Sequence, residues 1–144
     1  MDIYKSTFEN GEWVRVQDDL VGEPGSDESF GTTLSLTEDG STLAVGADAF
    51  NFTANDDTFE FFGQGRVYVY RRNKTTGQFE QLGDLLLGPT KDSNFGRRLV
   101  LSRNGNTLAV LSPGSELGTL QSPSQVFIYR YVQAIGNWKL MGDP

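Results

Sequence analysis

Residues 30–36 alternate along the chain, with Thr32, Leu34 and Leu36 on one side and Thr33 and Ser35 on the other. A period of two is that of a half-buried β-strand. Glu38-Asp39-Gly40 follows and reads as a tight turn, since glycine supplies the positive φ such turns need. Leu43-Ala44-Val45 then reads as a partner strand. Arg66-Val67-Tyr68-Val69-Tyr70 is β-branched and aromatic and predicts a third strand. Residues 73–77 carry polar turn chemistry, and residues 79–82 predict a fourth strand. No long stretch shows helical periodicity.

The pattern is stated twice. FGTTLSLTEDGSTLAVGA begins at Phe30 and FGRRLVLSRNGNTLAVLS at Phe95, a spacing of 65 residues. Gly31/Gly96, Gly40/Gly105, Leu43/Leu108, Ala44/Ala109 and Val45/Val110 keep that spacing. A second module recurs at a spacing of 59, with Tyr70/Tyr129 and Phe79/Trp138 as its markers. The difference of six is a shorter loop in the second copy. A third echo opens the chain, where Ile3-Tyr4, Gly11 and Trp13 match Val69-Tyr70, Gly77 and Phe79 at a spacing of 66.

Each unit is therefore expected to form four short antiparallel strands. One such sheet cannot bury both faces alone. The fold class expected is all-β, with two four-stranded antiparallel blades of a β-propeller that do not close a ring. A solenoid of sheets and a two-sheet sandwich are the alternatives. Residues 1–22 would hold the last strand of a preceding unit and a first flanking module. Residues 23–83 would be the first blade, 84–142 the second, and 143–144 the start of a following segment.

The run W-x8-G from Trp13, then GSDESFG, LSLTEDGSTLAVGA and GRVYVY, resembles FG-GAP-type repeats, the blades of integrin α-chain-like propellers. The similarity is to the calcium-free branch and covers almost the whole chain. It implies a propeller fold; propellers host many roles, so it implies less about function. The family's calcium loop is D-x-D-x-D-G-x-x-D. Here the first copy offers only Glu38 and Asp39, and the second, Ser102-Arg103-Asn104-Gly105, offers no carboxylate. Calcium takes six to eight oxygens, several of them carboxylate. The loop is degenerate, so no metal site is carried over and no cofactor is expected.

Composition narrows the chemistry. The 144 residues include no cysteine and no histidine, which excludes disulfides, thiolate or imidazole metal sites and Ser-His-Asp catalysis within the chain. The net charge of -7 disfavours nucleic acid and anionic membrane surfaces as partners. No apolar run is long enough for a membrane span. The opening residues show no apolar signal-peptide core.

Phe30 and Phe95 are expected to pack between adjacent sheets, with Gly31 and Gly96 allowing close backbone approach. Gly40 and Gly105 are turn glycines, and Trp13, Phe79 and Trp138 recur at one strand position as a structural slot. One end of the sheets should be acidic, carrying Glu23, Asp27, Glu28, Asp48, Asp56, Asp57, Glu60 and Asp92, with Lys91 its nearby lysine. The insertion at residues 47–65 holds Phe50, Phe52, Phe59, Phe61 and Phe62 beside Asp56 and Asp57. Long loops with aromatics favour recognition, so these seven residues are the candidate partner contacts. Asn51 and Asn73 head glycosylation sequons.

The function expected is a non-enzymatic interaction or adhesion module of an extracellular or cell-surface protein, binding proteins or glycans through its loops. Its structural partners would be further blades, from the same longer chain or from identical copies. The rival readings are a glycan-active propeller enzyme using loop carboxylates, with Asp27 or Glu28 paired to Asp56 or Asp57, and a purely structural spacer.

Overall fold

The computed structural model describes residues 3–6, 12–23, 29–49, 63–90, 93–114 and 123–142. The side chains of β1 and those of Trp13 and Val16 lie outside the description, as does the whole of residues 50–62. The described residues are all-β, with no helix, and form two antiparallel sheets preceded by a hairpin. The hairpin pairs β1 (Ile3–Ser6) with β2 (Trp13–Gln17). The first sheet contains β3 (Thr33–Leu36), β4 (Thr42–Ala47), β5 (Arg66–Arg72) and β6 (Phe79–Gln81) in that order, with β7 (Leu86–Leu87) also paired to β5. The second contains β8 (Arg98–Leu101), β9 (Thr107–Ser112), β10 (Gln125–Val132) and β11 (Asn137–Leu140), again in sequence order.

The first sheet thus has five strands where four were expected. β6 pairs with residues 70–72 and β7 with residues 66–67 of the same strand, so the two are segments of one edge. Gly83, at φ 77°, interrupts that edge between them. The first sheet accordingly reaches Leu87.

The repeat extends to backbone conformation and hydrogen bonding. Gly40 and Gly105 share φ 66°, Gly31 and Gly96 lie at 94° and 92°, and the non-glycines Ser29 and Asn94 are both left-handed, at 53° and 45°. In the β3–β4 turn, Thr37 Oγ1 donates to Asp39 Oδ1 (2.7 Å), and the same Oδ1 accepts from Ser41 N (3.0 Å). In the β8–β9 turn, Ser102 Oγ donates to Asn104 Oδ1 (2.8 Å), which accepts from Asn106 N (3.1 Å). Side chains that bond to nearby backbone in this way are what favour these residues in turns.

The sheets stack face to face. Ala44, Val67, Val69 and Leu86 of the first pack with Phe95, Leu101, Leu108, Val110, Phe127 and Trp138 around the second. Full burial of one such side chain is worth about 1.5–3 kcal/mol. Phe95 is fully buried and meets Phe127 and Tyr129 edge-to-face, with ring centroids 5.6 and 6.2 Å apart. Polar bonds also cross the junction. Leu101 N donates to Ser35 Oγ (2.9 Å), and Trp138 Nε1 donates to Leu82 O (2.9 Å). A Cβ on Gly46 would lie 2.2 Å from Gly96 O, so glycine lets the two backbones touch there. Phe95 and Trp138 are both buried at the junction between the sheets.

The other face of the first sheet carries Leu43, Val45, Ala47, Tyr68 and Tyr70, with Phe30 and Phe79 packed against them and Leu20 laid across. Leu20 stands seven residues after Trp13, as Leu86 stands seven after Phe79. It fills the equivalent place from the preceding segment.

Candidate functional site

Three surfaces bear on function: the end expected to be acidic, the outward sheet faces, and the opposite end, where the hairpin turns meet.

At the first, Phe50, Phe52, Phe59, Phe61, Phe62, Asn51, Asp56 and Asp57 fall outside the described residues, as do Asp27, Glu28, Glu60, Lys91 and Asp92. The two acids described there are both engaged. Glu23 Oε2 accepts from Arg66 Nη1 at 2.6 Å, and Asp48 Oδ1 accepts from Thr32 Oγ1 at 3.0 Å. Arg66 also donates to the Tyr68 hydroxyl (3.3 Å). Sequence reasoning counted lysine and missed this arginine, because it reads as the first residue of a strand. Among the described residues no group of three acidic side chains is placed to hold a metal ion.

The outward faces differ between units. The face of the first sheet that packs on the second is built from Ser35, Ala44, Val67, Val69 and Leu82. Its equivalent in the second sheet, Val100, Ala109, Val126, Ile128 and Met141, points away from the first. Val67 and Val69 are 0% and 1% exposed, whereas Val126 and Ile128 are 62% and 43% exposed. The opposite faces show the converse. Leu101 is 8% exposed under the first sheet, while its counterpart Leu36 is 57% exposed. The alternation at residues 30–36 predicts a half-buried leucine face; Leu34 and Leu36 are instead open, since no described strand stands where the first sheet stands for Leu99 and Leu101.

At the remaining end, the β3–β4, β5–β6, β8–β9 and β10–β11 turns border an open recess of about 720 Å³. Arg71, Arg72 and Lys74 contribute its cationic side. Arg71 lies over the Tyr131 ring (5.0 Å to the centroid), and its Nη2 donates to Asn106 Oδ1 (3.3 Å), tying the sheets together. Arg72 Nε donates to Gly77 O (2.9 Å). Asp39 is the carboxylate on the lining. Its hydrogen bonds from Thr37 and then Ser41 hold its pKa down to about 2. Nearby, Glu38 pairs with Arg103 across the two turns (3.0 Å). Asn73, the described sequon asparagine, anchors its turn: Oδ1 accepts from Thr75 N and Thr76 N, and Nδ2 donates to Glu80 Oε1. The recess is not legible in the sequence, because its residues come from four separate turn regions.

No family model matches the chain, and no curated protein matches it. No helix among the described residues is long and apolar enough to cross a membrane.

Proposed function

We propose that the chain is a non-enzymatic interaction module, two stacked units of an FG-GAP-like β-propeller on an extracellular or cell-surface protein. Its partners would be further units of the same kind and a protein or glycan held by the loops. One observation carries the reading: each sheet has two unlike apolar faces, and the junction between the sheets joins one of each. The face left open on β8–β11 matches, position by position, the face that β3–β7 buries at the junction. The counterpart of Arg71, which clasps Asn106, is Arg130, exposed at the edge of that open face. Such a face fits the leucine-bearing side of a like sheet, supplied by the same longer chain or by a second copy. The sequence holds neither histidine nor cysteine, which favours recognition over catalysis. The sequons at Asn51 and Asn73 fit a secreted setting.

The test is the mass of the 144-residue chain in solution, by light scattering across a concentration series. Self-association that weakens in Ile128→Lys or Val126→Lys is the expected result. A monomer at every concentration reached would overturn the stacking.

A further inference from the structure

The turn-end recess carries a charge opposite to that of the chain as a whole. The chain is at -7, yet the recess gathers Arg71, Arg72 and Lys74 against a single carboxylate. None of the three cations is neutralised by that carboxylate. Arg71 is held by an amide oxygen and an aromatic face, and Arg72 by a backbone carbonyl. These contacts orient the guanidinium groups, while Glu80, opposite Arg71 across β5–β6, accepts a hydrogen bond from Asn73 Nδ2. Asp39 directs one oxygen into its own turn, where a hydroxyl and a backbone N–H saturate it. Ser41, Asn104 and Gln133 complete the wall with hydroxyl and amide groups.

We propose that this recess binds a small anionic sugar, a polyhydroxylated ligand bearing a carboxylate, sulfate or phosphate. Arginine forks match the paired oxygens of such anions, and lysine adds a mobile point charge. The side-chain amides and hydroxyls on the same lining, which both donate and accept, suit sugar hydroxyls. The volume lies within the range of small-ligand sites, about 300–1,000 Å³. The recess lies between the two described sheets, so it requires no third one and stands apart from the self-association reading.

The test is a titration of the isotope-labelled chain, followed by amide NMR at constant ionic strength, with glucuronate, glucose 6-phosphate, inorganic sulfate and neutral glucose as separate probes. At least one of the sugar anions is expected to give saturable shifts at residues 71–77 and 104–106 and to bind more tightly than sulfate or glucose. Lys74→Gln, an exposed position, and Arg72→Gln should each weaken that binding about tenfold, the loss of one charge-assisted hydrogen bond. Arg97→Gln, beyond the other end of β8, should leave it unchanged. The proposal is overturned if neither sugar anion saturates, if sulfate or glucose binds as tightly, or if Lys74→Gln has no effect.

Discussion

Phe95 and Phe30 occupy one position in two copies of a unit, and the structure gives them different surroundings. Phe95 is fully buried between the sheets with two edge-to-face partners, while Phe30 is partly buried and has one aromatic partner among the described residues, Tyr68 at 5.2 Å. Truncating a buried phenylalanine to alanine costs about 3–5 kcal/mol, the lost transfer energy plus the cavity left behind. Phe95→Ala should fall in that range, at about 4 kcal/mol. Phe30→Ala removes less buried area and one aromatic contact fewer, so about 2 kcal/mol is expected. Urea unfolding, followed by the fluorescence of Trp138 in the same core, measures both. With a slope of about 2 kcal/mol per molar, the midpoints should fall by about 2 M and about 1 M. The comparison belongs in an Ile128→Lys background, so that contacts between copies do not shield Phe30. Equal shifts, or a larger one for Phe30, would refute the placement of Phe95 between two stacked sheets.

Two further outcomes follow from the turns. Gly40 and Gly65 both have positive φ, but a Cβ on Gly40 meets nothing within 4 Å, whereas one on Gly65 would lie 2.2 Å from Phe95 O. Gly40→Ala should therefore cost only the left-handed strain, about 1–2 kcal/mol, and Gly65→Ala distinctly more, as thermal or urea unfolding will read. The two hydrogen-bonded turns should also part in acid. Asp39 is held near a pKa of about 2, below its unfolded value, so its stabilising contribution is complete above about pH 4 and is lost as pH falls through about 2. Asn104 makes the same bonds without a charge. The Ser41 amide resonance should titrate across that window, and the Asn106 resonance should not.

Much of the fold was legible because the repeat is spelled out in residues with strong local demands. Gly40 and Gly105 mark the turns, and alternation at residues 33–36 and 98–101 marks the strands. What escaped was whatever depends on the neighbour across the junction. Leu36 and Leu101 carry the same pattern and have opposite exposure, since among the described residues only Leu101 faces another sheet. The pattern ends a strand at residue 82 and opens the second unit at residue 84, and the pairing of β6 and β7 with a single long strand shows only in three dimensions. Arg71, Arg72 and Lys74 look like an ordinary polar strand end. They become one side of a recess only when Asn104 and Gln133 arrive from residues 30 and more further along. The aromatic insertion at residues 50–62, the sequence's own candidate for partner contact, lies outside the described residues.

The dissimilarity of the two sides of each sheet gives any assembly a polarity. Like cannot sit on like, so a two-fold dimer would leave mismatched surfaces in contact. Stacking between copies would instead run nose to tail, the Val126 side of one set against the open Leu34 and Leu36 of the next, the rest of that leucine side being already covered by Leu20, Phe30 and Phe79. The rotation per step then decides the product: a whole number of steps per circle seals it off, and any other value yields an open fibre. The size distribution should accordingly run as a ladder of species and not halt at two.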